Sequence, residues 1–199
     1  MAGEKTEDKA IGVSRGGRNT KIHTLVDGLG NPLAFLLSSG NDHDSKHAVP
    51  LLSQIDIEES NIIGDKAYGA KAIRDYIDSH NASYTIPPRS DVNAPWPVDW
   101  HTYKERHLIE CFFQKLKWFR RIFTRYDKLD ASFLAFVHIA AIAILLKLYN
   151  PLPFFKQAIV QQCVNNRVIL HSQRNPLVSP FKGFRREVIL FNKASDTCN

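Results

Sequence analysis

Cysteine is scarce in this chain and falls in no recognisable pattern: Cys111, Cys163 and Cys198 are an odd number with no Cys-x-x-Cys spacing. A disulfide framework and a cysteine zinc site are both excluded as organising devices, and a cytoplasmic setting fits best. Long apolar runs are missing too. The longest, residues 133–148, contains His138 and is shorter than the ~20 residues that cross a bilayer, so it reads as a core helix and no membrane role follows. The first nine residues are charged rather than apolar and carry no secretory h-region. Internal repeats and low-complexity tracts are absent. Of the eight histidines only His43 and His47 share helical i, i+4 spacing, and no further Glu or His motif joins them, so the pattern does not point to zinc.

What is present belongs to a globular protein. A chain of 199 residues, 44% hydrophobic and 23% charged, can bury one good core. The formal charge of +6 and pI near 9.3 are modestly basic. On their own they suit a polyanionic partner and an ordinary soluble surface about equally.

Residues 1–19 are polar, glycine-rich around Ser14-Arg-Gly-Gly-Arg-Asn19, and read as a flexible leading segment. From Thr20 the pattern alternates: 20–27 reads as a strand, Gly28-Leu-Gly-Asn-Pro32 as turn chemistry, and 33–38 as a second strand, which together predict a β-hairpin. Asp42 or Asp44 can cap a helix carrying Ala48, Val49, Leu51, Leu52 and Ile55 at helical spacing, and 61–65 then makes a short buried strand. A helix over 71–80 and a strand over 83–86, stopped by Pro87-Pro88, complete an α/β order. After a proline-bearing loop, helix resumes near Thr102 and continues through Lys117 or beyond, with Leu108, Ile109, Phe112, Phe113 and Leu116 as its apolar stripe. Ser132 is expected to cap the next helix, which runs to about Tyr149. Residues 151–199 show no clear periodicity and read as a divergent tail, leaving 20–150 as the folded domain.

The chemistry concentrates on two carboxylates. Asp65 stands where a buried strand ends, the usual ligand-bearing edge of an open α/β sheet. Glu110 lies on a basic helix with Arg106 one turn before it and Lys117 two turns after it, so all three can face a phosphate backbone. Carboxylates that converge on two cations roughly 3.5–4 Å apart perform phosphoryl transfer, one ion activating the attacking oxygen and the other stabilising the leaving oxygen. Hard oxygen ligands suit magnesium better than zinc. Singly, these residues suit plainer roles as well: Asp65 before Lys66 a strand-end cap or surface ion pair, and Glu110 a solvated carboxylate paired with Arg106. Tyr103, Arg106, Lys117, Arg120 and Arg121 would each, alone, be ordinary helix surface.

In combination they resemble a known family. Tyr103-x-x-Arg106-x-x-x-Glu110-x-x-x-x-x-x-Lys117 is similar to the Y-R-E-K signature of the DDE transposases of bacterial insertion sequences, the insertion-sequence-five type in particular. The likeness extends through Gly12-Val-Ser-Arg-Gly-Gly-Arg-Asn-Thr-Lys-Ile-His23, Val26-Asp-Gly-Leu-Gly-Asn-Pro-Leu33, Asp65-Lys-Ala-Tyr68, Ile86-Pro-Pro-Arg89 and Arg125-Tyr-Asp-Lys128, and covers Ile11 to about Leu148. The resemblance implies an α/β, RNase H-like mixed sheet flanked by helices, with 21–38 as its second and third strands and 61–65 as its fourth. It also implies that Asp65 and Glu110 are the second and third catalytic carboxylates and metal ligands, with two magnesium ions in a complete site. Tyr103, Arg106 and Lys117 would position the end of the element and its phosphates. Apart from the resemblance, the basic cluster from Lys115 to Arg125 predicts salt-sensitive, largely sequence-independent DNA contacts by Arg120 and Arg121. The partner so implied is DNA, both element ends and target.

There are departures from the family. Its first catalytic aspartate lies on a first strand well upstream of the Ser-Arg-Gly-Gly segment, whereas only residues 1–10 precede that segment here, so the strand and its aspartate are expected to be missing. An open edge or gap beside the hairpin should result. Asp27 matches a hairpin-end aspartate that the family does not use as a ligand, Asp8 has no strand around it, Gly69 replaces a frequent aspartate, and Cys111 follows the glutamate. The expectation is a catalytic-domain portion of a transposase, inactive alone and working with a homo-oligomer or an upstream transposase fragment. Two rivals stay open: a non-catalytic DNA-binding or transposase-inhibiting remnant relying on Lys115, Lys117, Arg120, Arg121 and Arg125, and an RNase H-like nuclease that completes its site with Asp27.

Overall fold

Alternation of apolar and polar residues over 20–38 produces the hairpin at the heart of a seven-stranded sheet. A computed structural model describes residues 10–14, 17–146 and 186–197, and the strand count refers to these. β1 (Gly12–Ser14) and β3 (Pro32–Ser39) both pair antiparallel with the long β2 (Gly17–Asp27). Part of the supposed leading segment is therefore strand. Asp27 builds the hairpin turn: its carboxylate accepts from the Leu29 and Asn31 backbone N–H groups at 2.9 and 2.8 Å and from Asn31 Nδ2 at 3.0 Å. Gly30 closes the turn at φ +81°, a conformation side-chain-bearing residues rarely adopt.

α1 (Ser45–Leu52), β4 (Ser60–Gly64), a 3₁₀ turn over Lys66–Tyr68, α2 (Lys71–Ser79) and β5 (Ser83–Thr85) follow within two residues of their expected places. Asp44 stands at the N-cap of α1 but makes no capping hydrogen bond; its Oδ1 pairs instead with Lys21 Nζ at 2.8 Å. The expected helix from Thr102 through Lys117 is broken into α3 (Trp100–Tyr103), a 3₁₀ turn over Lys104–Arg106 and α4 (His107–Leu116). α5 (Arg120–Phe123), a short β6 (Thr124–Arg125) and α6 (Asp130–Leu145) come next. Ser132 does not cap α6, which begins two residues earlier; the Asp130 carboxylate accepts from the Ala10 backbone N–H at 2.6 Å and from Arg125. The stretch 147–150, where that helix was expected to end, lies outside the described residues.

The last strand, β7 (Arg186–Thr197), corrects the expected gap beside the hairpin. It lies between β2 and β4, antiparallel to the first (Thr24 opposite Phe191) and parallel to the second (Gly64 opposite Leu190). The central order is β3-β2-β7-β4-β5, with β6 pairing parallel to β7 beyond β4. This is the α/β, RNase H-like architecture expected: a mixed sheet flanked by helices. Strand alternation sends Ile63 and Ile189 into a core with Ile109, Phe112 and Phe113 of α4 and Phe133 and Val137 of α6. Ile62, Val188 and Leu190 face the other side, against Leu51 and Leu52 of α1 and Ile73 and Ile77 of α2. Burying side chains of this size contributes about 1.5–3 kcal/mol each before chain entropy is counted.

Candidate active site

Asp65 follows directly on β4 and caps the 3₁₀ turn, its Oδ1 accepting from the Lys66 N–H at 2.6 Å. Behind it Tyr68 is fully buried in the α1/α2 core, which pins the turn and leaves the Asp65 carboxylate partly exposed. α3 packs beside β4. Asp99 starts that helix: its Oδ1 accepts from the His101 and Thr102 N–H groups, and its Oδ2 from the Thr102 hydroxyl at 2.7 Å. The Thr102 bonds, followed by that from His101, hold the Asp99 carboxyl below its usual range. The cap sets the direction of Tyr103.

Tyr103 is half-buried at the end of α3, within electrostatic range of both expected carboxylates. Burial pushes its hydroxyl above the ordinary tyrosine value; Arg106 pulls it back, while Asp65 and then Glu110 push it further up. Both carboxylates therefore act electrostatically on one phenol. Arg106 Nη1 reaches Glu110 Oε1 at 2.8 Å, and the guanidinium lies 5.7 Å from the Tyr103 ring centroid. This i, i+4 pair crosses from the 3₁₀ turn into α4 and is open to solvent, with the Glu110 side chain 44% exposed. Lys117 lies at the end of α4, seven residues or about two turns beyond Glu110. Arg120 and Arg121 are exposed on α5, and Arg121 lies 4.0 Å over the Phe136 ring and 3.2 Å from Asp127.

Other residues are placed elsewhere. Asp27 spends both carboxylate oxygens on its turn. Arg125 is 1% exposed, with its guanidinium bonded to Thr20 Oγ1, the Asp127 carbonyl and Asp130, so it is not part of a basic face. Three features escaped the sequence reading. Trp100, 61% exposed, meets Tyr103 edge-to-face at 5.7 Å. Asp99 was legible in principle as a helix-starting aspartate three residues before a threonine. Glu187 of β7 was not, because nothing in 151–199 suggested a strand; burial, with Glu105 and Asp99 nearby, raises its carboxyl. A cleft of about 550 Å³ at the hairpin end, lined by Asp27, Leu33, Ile55, Asp56 and Glu187 among others, lies apart from Asp65. Among the described residues no group of three His, Cys, Asp or Glu side chains comes together to hold a metal ion, and no helix is long and apolar enough to cross a membrane.

The fold is thus an RNase H-like mixed sheet with Asp65 directly after β4 and Glu110 on α4. Comparison with known proteins gives the family. The family described as the transposase DDE domain matches residues 3–146, and the chain belongs to that family. It is 42% identical over 132 residues, 64% of this chain and 98% of the relative, to a protein of Brucella ovis (strain ATCC 25840 / 63/290 / NCTC 10512) that carries the provisional name of a transposase for insertion sequence element IS6501. No solved structure matches. Membership in the family implies a role in transposition, DNA as partner and dependence on a divalent metal ion.

Proposed function

We propose that this chain is the catalytic-domain portion of an insertion-sequence transposase of the Y-R-E-K kind, acting in the cytoplasm on element ends and target DNA. Asp65 and Glu110 are its two metal-binding carboxylates, and Tyr103, Arg106, Lys117, Arg120 and Arg121 hold the DNA. What supports this reading is the family match over residues 3–146, together with Asp65 standing directly after β4 and Glu110 standing on α4 beside Arg106. Carboxylate oxygens suit a hard cation that keeps part of its water shell, and magnesium is the ion expected, two of them in a complete site. Bound magnesium would supply charge for a phosphoryl oxygen or an activated water.

The chain's own groups do the rest. The Arg106–Glu110 ion pair is partly open to solvent, so Arg106 could donate to an approaching phosphate and Glu110 could serve as a metal ligand. Tyr103 keeps its proton well above neutral pH and acts as a hydrogen-bond donor, not a base. With no counterpart of the family's first catalytic aspartate beside Asp65 and Glu110 among the described residues, the chain alone is inactive in strand transfer and needs a homo-oligomer or an upstream transposase fragment.

Calorimetric titration with Mg²⁺, joined to nicking and joining assays on end-bearing DNA, tests this. Weak magnesium binding should fall at least tenfold in Asp65→Ala and in Glu110→Ala, with little strand transfer in any form. Asp27→Ala should leave metal affinity unchanged and lower stability by about 1–2 kcal/mol, since it strips a turn of its bonds. Robust strand transfer by the purified chain, or loss of metal binding in Asp27→Ala, overturns the assignment.

A further inference from the structure

The strand at the centre of the sheet is the last in the sequence. The family match ends at residue 146, and β7 begins forty residues later, beyond a stretch that lies outside the described residues. Yet β7 pairs along β2 from Asn19–Asp196 to Asp27–Val188 and along β4 from Ser60–Arg186 to Gly64–Leu190. Val188, Ile189 and Leu190, each 2% exposed or less, close both cores. Removing it would bare the facing edges of β2 and β4 and open the apolar floor on each side, which is the situation that invites an added strand.

We propose that the groove between β2 and β4 is a strand-acceptor site whose ligand is residues 186–197, held by pairing and burial rather than by chain connection, so that the corresponding strand of a second copy of this chain can take the place. The length of the connection supports this: thirty-nine residues, 147–185, stand between α6 and β7, and closure entropy rises only slowly with the number of residues in a connection, so a strand of the same copy and one of a neighbouring copy can compete for the groove at high protein concentration. The matching strand on a neighbouring copy offers the same hydrogen bonds and the same three apolar side chains. The inference uses neither metal nor DNA contacts, so it stands or falls separately from the transposition reading.

Full-length chain carrying Val188→Pro and Leu190→Pro tests it, because proline in a strand paired on both sides removes ladder hydrogen bonds. Hydrogen exchange at the Leu25 and Ile62 amides should speed up roughly a hundredfold or more. A labelled peptide of residues 185–199 should bind this variant at least tenfold more tightly than wild type and restore the lost protection. Unchanged exchange in the variant shows that the groove is not filled by β7, and failure of the peptide to bind shows that the connection is required; either overturns the proposal. A second arm does not depend on the double variant folding. Two full-length chains, one with Thr24→Cys and one with Phe191→Cys, both with Cys163→Ser and Cys198→Ser, are refolded together at high concentration and oxidised. A disulfide between copies supports exchange, and its absence, where the same pair in one chain does cross-link, overturns it.

Discussion

Arg125 and Arg106 each form an ion pair with a carboxylate four or five residues away, and the two pairs are made for different ends. Arg125 has no exposed side-chain surface. Its guanidinium reaches Asp130, Thr20 Oγ1, the Asp127 carbonyl and the Ala10 carbonyl, and stacks 4.8 Å from the Phe133 ring. Thr20 Oγ1 donates in turn to the Ala10 carbonyl. One buried cation thus ties the start of the described chain, β2, β6 and α6 together. Arg106 keeps a quarter of its side chain in solvent and Glu110 nearly half. A charge whose partners are all fixed inside the fold has nothing left to offer a ligand, whereas a solvated pair can exchange partners at little cost.

The largest effect that could break this contrast is the loss of Arg125. Arg125→Ala leaves Asp130 half-buried without its cation and releases Ala10 and Thr20, and it should destabilise the fold by about 3–5 kcal/mol. Arg106→Ala should change stability by no more than about 1 kcal/mol. Urea denaturation of the two variants measures both. Comparable losses would erase the distinction between a structural and a working arginine.

A buried imidazole sharpens the same contrast on a smaller scale. His23 is fully buried, with Nε2 at 2.7 Å from Ser38 Oγ, and its Nδ1 has no partner among the described residues. Unlike Arg125 it cannot hold its charge there: burial first, then His47 and Lys21, push its pKa down to about 4, against the opposing pull of Asp44 and Asp42. Below the unfolded value near 6.5 the unfolded chain takes up a proton that the folded chain refuses. Stability therefore falls as pH drops from about 6.5 to about 4, by about 3 kcal/mol in all, and is unaffected by this group above that window. His23→Gln should flatten that part of the profile; an unchanged slope would mean that other groups produce it.

The contrast also explains what could be read from the sequence. Hairpin, helices and the strand ending at Asp65 were legible because turn residues and apolar spacing are local signals, and they were found nearly in place. The break at Lys104–Arg106 was not, since the apolar stripe of α4 gives no sign of it, and α3 and the 3₁₀ turn both contact β4, a strand about forty residues earlier. Arg125 looked like surface because sequence shows charge but not partners 105 and 115 residues away. β7 was invisible for a related reason: its residues Val188–Leu190 form a short apolar run in a polar tail, and only the open groove makes them a strand. At the candidate site the local signature was enough to nominate Asp65, Tyr103, Arg106 and Glu110, while the Asp99 cap at the start of α3 and the Trp100 ring against Tyr103 emerged only from the fold.

The smallest expected effect concerns the basic face itself. Arg120 and Arg121 are adjacent on α5, yet they are not equivalent: Arg121 covers the Phe136 ring and pairs with Asp127, and its side chain is 55% exposed. If both contact phosphates, each alanine substitution should lower the slope of log affinity against log salt by about 0.9, through one fewer released counterion, with little change in preference between DNA sequences. Arg121→Ala should in addition destabilise the fold by about 0.5–1 kcal/mol, because its exposed cation–π contact is lost with it, and Arg120→Ala should not. Fluorescence anisotropy on duplex DNA over a salt series, together with thermal unfolding of the same proteins, separates the two contributions. A slope unchanged in the double variant would remove α5 from the DNA-binding face and leave Tyr103, Arg106 and Lys117 as the residues that hold the element end.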